Sequence, residues 1–216
     1  MLTLGYTETL WVGVSACFMY VSCMLTSVLL HNTFNGNLEL AYDLEQAKLN
    51  AEDMARTDAL TGLNNRRAFF DKARALFDFC KRNQQPISAI MMDIDHFKAI
   101  NDRFGHACGD LALTSIATLL KNNLRESDLL CRFGGEEFAI LLPNTSVHEA
   151  ERIANDLKSA MVNSSIIMAH ESLVSMTASF GVAEIGSSLE DILGYADKAM
   201  YRAKNGGRNS VMRYQA

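Results

Sequence analysis

Apolar positions along the chain change their period several times, and each change marks an element. Residues 10–30, LWVGVSACFMYVSCMLTSVLL, carry no charge. A helix of that length rises roughly 30 Å, the thickness of a bilayer's hydrocarbon core. Trp11 stands at its edge, where interfacial aromatics belong. The run is predicted to be a transmembrane helix preceded by a short extracytoplasmic segment, residues 1–9. A signal peptide is disfavoured, because no Lys or Arg precedes the run and no small-x-small cleavage pattern follows it. All basic residues come after it, which places the remainder of the chain in the cytoplasm. Asn35-Gly36-Asn37 then reads as a turn and a helix start. Beyond it Leu40, Leu44, Ala47, Ala51 and Met54 recur at spacings of 4, 3, 4 and 3. That is a short a/d seam in residues 37–57, suited either to a parallel dimer stalk or to a helix lying on its own domain.

Residues 58–216 alternate between the two periods. Thr61-Gly62 breaks the preceding helix, and Asn64 or Asn65 can cap the next, Arg66 to about Lys81. Its apolar face carries Ala68, Phe69, Ala73, Leu76, Phe77 and Cys80. Ile87 to Met92, opened by Pro86, reads as a buried strand. A short helix, His96 to Phe104, is closed by Gly105. A longer one, Cys108 to about Leu124, is expected to bury Leu111, Leu113, Ile116, Leu119 and Leu120. Leu129 to Cys131 and Phe138 to Leu142 are strand-like, and Gly134-Gly135 between them predicts a two-residue hairpin turn with φ > 0 at both glycines. Ser146 to about Val162 is amphipathic, with Ala150, Ile153, Ala154, Leu157, Ala160 and Met161 inward. Ile166 to Met168 and Val174 to Val182 are further strands. A last helix, Leu189 to Lys204, buries Ile192, Leu193, Ala196, Ala199 and Met200.

Composition narrows the function classes. Apolar residues make up 49 % of the 216, enough for a sizeable core, and the net charge of −5 gives no basic face for a nucleic-acid polymer. The five cysteines, Cys17, Cys23, Cys80, Cys108 and Cys131, show no zinc-ligand spacing and read as reduced thiols.

Two carboxylate groups carry candidate chemistry. Asp93-Ile94-Asp95 ends the strand at Met92, and alternation puts Asp93 and Asp95 on one face. Such oxygens suit Mg²⁺, although Asp95 can equally cap the helix that follows. Glu136-Glu137 sits at the hairpin's mouth, where adjacent like charges call for a cation or for solvent. Asn101 and Asp110 flank the turn between two helices. A carboxamide and a carboxylate together can bond the N1–H, the 2-amino group and an acceptor of guanine, and would reject adenine. His106 in that turn, the exposed Arg125-x-x-Asp128, and Lys204 and Arg208 at a helix C-terminus each have a bland reading as surface charge or capping.

Taken together, Asp58-x-Leu60-Thr61-Gly62-Leu63-x-Asn65-Arg66-Arg67, Asp93-Ile94-Asp95-x-Phe97-Lys98-x-Ile100-Asn101-Asp102-x-Phe104-Gly105-His106-x-x-Gly109-Asp110 and Arg132-Phe133-Gly134-Gly135-Glu136-Glu137-Phe138 resemble the GGDEF diguanylate cyclase family. Ser179-Phe180-Gly181-Val182 and Ala196-Asp197 through Gly207-Arg208-Asn209 resemble its later segments, so the likeness runs from about Asp58 to Tyr214. It implies an α/β (α+β) fold: a single palm-like domain, residues 58–216, with a central mixed sheet surrounded by helices, behind a transmembrane and a signalling helix. It implies condensation of two GTP into cyclic di-GMP, with release of two pyrophosphates, at the interface of a homodimer at the bacterial inner membrane. By resemblance Asp93, the Ile94 carbonyl, Glu136 and Glu137 would hold two Mg²⁺, with Mn²⁺ as a substitute. Glu136, Glu137 and Lys98 would be catalytic. Asn101, His106, Asp110, Gly134, Gly135, Lys204 and Arg208 would bind GTP. Arg125, Asp128 and Arg152 would form an inhibitory product site. Asp156 stands where some members carry a further arginine, a departure that bears on how product binds. The alternative is a catalytically inactive cyclic di-GMP receptor acting through Arg125 and Asp128, which an intact hairpin motif disfavours.

Overall fold

A computed structural model of the protein describes residues 2–54, 56–167, 173–184 and 186–215. The side chains of Trp11, Ala51 and Met54, and all of Met168, lie outside the described residues. The chain divides into two units, Met1–Met54 and Ala55–Ala216.

The first unit is one uninterrupted helix, α1 (Leu2–Met54). The turn expected at Asn35-Gly36-Asn37 is therefore absent. A lone glycine costs a helix only about 1 kcal/mol relative to alanine. Here the side chains of His31 and Asn35 also bond each other across one turn, at 3.1 Å. Residues 16–48 are exposed throughout, including Phe18, Leu25, Leu40 and Leu44. Ala16–Lys48 is long and apolar enough to cross a membrane by length and composition, with a mean hydropathy of 1.3 over an 18-residue window.

The second unit is built on a five-stranded mixed sheet. Its strands are β1 (Ile87–Ile94), β2 (Leu129–Arg132), β3 (Glu137–Pro143), β6 (Ala178–Glu184) and β7 (Val211–Arg213), in the order β2-β3-β1-β6-β7. All neighbours are antiparallel except β6 and β7. A separate hairpin pairs β4 (Ser165–Ile167) with β5 (Leu173–Ser175). The helices are α2 (Arg66–Arg82), α3 (Phe97–Phe104), α4 (His106–Asn123), α5 (Val147–Asn163) and α6 (Leu189–Asn205).

The central strands read as unbroken apolar runs because helices cover both faces. Alternation sends Ile90, Met92, Phe138, Ile140, Leu142 and Phe180 into one core, with α4 and α5. Ala89, Met91, Ala139, Leu141 and Ala183 go into the other, with α2 and α6. The helix starts follow from local chemistry. The Asn65 side chain accepts from the Ala68 amide at 2.9 Å, and Ser146 with Glu149 forms a reciprocal capping box at α5. Gly181 lets α6 lie directly on β6: a Cβ there would stand 2.0 Å from the Ala196 carbonyl oxygen and 2.1 Å from the Met200 amide nitrogen.

Several expectations are corrected. The strand expected over Val174 to Val182 is split between β5 and β6, because the backbone at Thr177 turns to accept the Asp95 amide at 2.9 Å. Leu111 is 53 % exposed rather than buried, since α4 presents Ala112, Leu113, Ile116 and Ala117 to the core instead. Gly134 and Gly135 are not among the residues with positive φ. The hairpin is wider than a two-residue turn: the β2–β3 ladder ends at Arg132 opposite Phe138, and the amides of Phe133 and Gly134 both donate to the Glu137 carbonyl, at 2.8 and 3.2 Å. All five cysteines are free, and burial pushes the Cys131 thiol up to about 12, which leaves it protonated and inert.

Candidate active site

The sheet register assembles the site. β1 pairs antiparallel with β3 so that Asp93 lies opposite Glu137, and with β6 so that Asp93 lies opposite Ser179. The Ile94 amide donates to the Glu136 carbonyl at 3.3 Å, which ties the end of β1 to the hairpin. Carboxylates more than 40 residues apart in sequence thus meet at one corner of the sheet.

Asp93 is only 3 % exposed. Burial raises its carboxyl above the ordinary carboxylate value, and the nearby Asp95 charge adds to this, against the pull of Lys204 and Arg208. The Lys204 ammonium lies 2.6 Å from Asp93 Oδ2, delivered by the last turn of α6. Glu136 is raised in the same direction, by burial first and then by Asp93 and Glu137, with Lys204 opposing. Two carboxylates that disfavour one another's charge, with one ammonium between them, form a hard-oxygen donor set short of positive charge. Among the described residues no group of three or more Asp, Glu, His or Cys side chains is placed to hold a metal ion. The Glu137 side chain folds back so that Oε2 lies 2.6 Å from where a Cβ on Gly134 would be. It also lines a cleft of about 460 Å³ with Lys198, Tyr201, Arg202 and Lys204. Above Gly135 the space is open.

Asn101 sits on α3, and its Oδ1 is buried with no hydrogen-bond partner among the described residues. A buried, unpaired carboxamide oxygen is costly unless a ligand completes it. Gly109 makes the room, for a Cβ there would lie 1.9 Å from that oxygen. His106 and Asp110 are exposed on the first turns of α4, and Lys98 is exposed on the first turn of α3. Arg208 is exposed in the left-handed turn after α6, at φ 65°.

Arg125 and Asp128 lie on another face. The Arg125 amide donates to Asp128 Oδ2 at 2.9 Å, and both line a cleft of about 450 Å³ that reaches Gly62, Asn64 and Lys121. Arg152 on α5 is exposed and lies 4.0 Å from Glu149. Hydrogen bonds from the Ser146 amide and hydroxyl hold Glu149 below its ordinary value, and Arg152 and Arg125 both contribute.

Three relationships were not read from the sequence. Asp95 does not cap α3, whose N-cap is His96 without a side-chain bond. It accepts instead from the Thr177 and Ser179 hydroxyls, both at 2.7 Å, and from the Asn209 amide at 2.9 Å. Arg132 donates to both oxygens of Asp58, at 3.1 and 3.2 Å, and to the Gly135 carbonyl, at 3.2 and 2.7 Å. Gly109 serves Asn101. Only the recurrence of Asp58, Arg132 and Ser179 inside motif-like segments hinted at these roles.

Comparison with known proteins shows what the chain as a whole is similar to. Response regulator PleD of Caulobacter vibrioides is 40 % identical over 164 residues, 74 % of this chain and 36 % of PleD. Diguanylate cyclase VdcA of Vibrio cholerae is 41 % identical over 188 residues, 85 % of this chain and 54 % of VdcA. The chain thus spans between about a third and a half of the length of these relatives. The crystal structure of the GGDEF domain of DgcB from Caulobacter crescentus in complex with c-di-GMP superposes with a TM-score of 0.72 at 29 % identity, covering 74 % of this chain and 94 % of that one. The family model for the diguanylate cyclase GGDEF domain matches residues 55–210, and the chain belongs to that family.

Proposed function

We propose that the protein condenses two GTP into cyclic di-GMP, each copy of the chain supplying half of the site. The observation that carries the reading is the pairing of β1 with β3, which sets Asp93 beside the Glu136-Glu137 hairpin with Lys204 at 2.6 Å from Asp93. Asp93 and Glu136, with the Ile94 carbonyl and Glu137, would hold two Mg²⁺, for which Mn²⁺ can substitute. Their carboxylate and carbonyl oxygens fit a cation that takes one or two carboxylates and completes its shell with water and phosphate. The chemistry such ions supply is neutralisation of the triphosphate and of charge developing in an in-line displacement.

The chain's own groups account for the remaining steps. Asn101, with its unpaired oxygen, receives guanine together with Asp110 and His106. Lys204 and Arg208 take the triphosphate, and Lys98 balances charge on it. Gly135 leaves the hairpin surface open for the nucleotide, and Gly134 stands beside it under the Glu137 carboxylate. Glu136, its carboxyl raised by burial and by its neighbours, accepts the proton of the attacking 3′-hydroxyl, with Glu137 assisting. Pyrophosphate leaves, and a second, symmetric attack closes the ring. Two identical substrates require a two-fold arrangement of two chains. The apolar α1, with Leu40 and Leu44 exposed, suits both membrane anchoring and pairing of helices, so control of that pairing is control of rate. Arg125, Asp128 and Arg152 provide a place for product to bind and inhibit; arginine's fork matches phosphate and the Hoogsteen edge of guanine.

The test is to incubate the full-length protein in detergent with Mg²⁺ and either GTP or ATP. Cyclic di-GMP from GTP alone, lost in Glu136→Gln, is the expected result. Tight binding of cyclic di-GMP without any synthesis would favour the receptor reading instead.

A further inference from the structure

The sequence offers Asp95 as a second carboxylate beside Asp93 or as a helix cap, and the structure uses it as neither. The residue is 4 % exposed. Its Oδ1 accepts from the Ser179 hydroxyl, and its Oδ2 from the Thr177 hydroxyl and from the backbone amide of Asn209, 114 residues away. Its own amide donates to the Thr177 carbonyl at 2.9 Å. One buried side chain therefore joins the end of β1, the start of β6 and the turn that follows α6.

That turn is unusual. Gly207, Arg208 and Asn209 are three consecutive residues with positive φ, at 114°, 65° and 43°. Asparagine enters this region readily, but an arginine there costs free energy that its surroundings must offset. The Arg208 amide is tied to the Ala203 carbonyl at 3.0 Å, the end of α6. On its other side, the tie is the Asn209 amide bonded to Asp95. A charge-assisted bond from a backbone amide to a buried carboxylate is among the stronger ones available.

We propose that Asp95 is a positioning residue: through the Asn209 amide it fixes the left-handed turn that aims Arg208 at the substrate's triphosphate. The inference rests on the reading of Arg208 as a triphosphate contact. Asp95 touches no substrate itself. Replacing it with asparagine keeps the shape but removes the charge that holds the amide, and the turn is free to relax.

A double-mutant cycle in binding tests this without relying on turnover. The probe is α,β-methylene GTP with Mg²⁺, measured by calorimetry on the full-length protein in detergent. Asp95→Asn should weaken binding about tenfold, and Arg208→Ala by a similar factor. The double variant should be no more than about twofold worse than Arg208→Ala alone, because the contact that Asp95 serves is already gone. Losses that multiply to about a hundredfold would show that Asp95 acts independently of Arg208, and would overturn the proposal. Should Asp95→Asn not fold, Asp95→Glu, which keeps the charge but shifts it by a methylene, takes its place in the cycle with the same expectation. Turnover of the unmodified protein is assayed in parallel. Analogue binding without cyclic di-GMP formation would overturn the proposed activity while the cycle still decides the role of Asp95. No analogue binding at all would overturn both.

Discussion

Replacing Gly109 by alanine adds one methyl group at the point where α4 faces the Asn101 carboxamide. The new Cβ would stand 1.9 Å from Asn101 Oδ1, 3.0 Å from its Cγ and 3.2 Å from Phe97 Cζ. Phe97 is 7 % exposed and has little room to move. The carboxamide must therefore rotate away or the first turn of α4 must shift. Either movement would take Asn101 off its proposed guanine contact, at a cost of one or two neutral hydrogen bonds of about 0.5–1.5 kcal/mol each. At about 1.4 kcal/mol per tenfold, KM for GTP should rise roughly 2- to 140-fold, with kcat nearly unchanged, because the proposed contact is remote from the reacting atoms. Stability responds through two opposing effects. Alanine gains up to about 1 kcal/mol over glycine in a helix, while overpacking costs about 1–3 kcal/mol. The net loss of up to about 2 kcal/mol should lower Tm by no more than roughly 8 °C. Steady-state pyrophosphate release over a range of GTP concentrations, with a thermal melt of the same sample, measures both. A lowered Tm with KM within about twofold of the unmodified protein would show that Asn101 does not hold the base.

Arg132→Ala removes four hydrogen bonds that tie Asp58 to the Gly135 carbonyl. A loss of about 2 kcal/mol, or roughly 4–8 °C in Tm, together with reduced turnover from a loosened hairpin, is expected; an unchanged melt would contradict it. Burial alone would raise the Asp58 carboxyl, but its bonds from Thr61 and Arg132 outweigh this and hold it below the ordinary 3.8. A carboxyl lowered in the fold contributes stability that is present above its unfolded value and is lost as pH falls through the folded one. Acid unfolding followed by circular dichroism below about pH 4 should therefore be less steep in Asp58→Asn than in the unmodified protein. Arg125→Ala should raise the concentration of cyclic di-GMP needed for half inhibition about tenfold or more, with the initial rate at low product unchanged; inhibition at the original concentration would remove Arg125 from the product site.

Much of the domain was legible because its elements are locally consistent. The face of α2 that carries Ala68, Phe69, Ala73, Phe77 and Cys80 is the buried one, and the capping box at Ser146 and Glu149 starts α5. What escaped depends on tertiary partners or on the absence of competition. The Asn35-Gly36-Asn37 turn failed because nothing pulls the chain out of a helix that its neighbours support. The hairpin glycines suggested positive φ, yet the bend is spread over Phe133 to Glu136, and the open side of Gly135 is a matter of space rather than torsion. Leu111 fits the helical period but falls on the edge of the buried stripe. Asp95 could not be assigned from the sequence, because its three donors come from residues 177, 179 and 209. Asp93 and the hairpin acids were placed together only through resemblance; the β1–β3 register supplies the physical reason.

In the proposed reaction one chain holds only half of the condensing site. Specific activity measured over a dilution series, with mass determined by light scattering and with pyrophosphate and cyclic di-GMP counted in the same samples, tests it most directly. Two pyrophosphates per cyclic di-GMP are expected, with a specific activity that falls as the protein dissociates to monomers. Undiminished synthesis by a sample shown to be monomeric would contradict it.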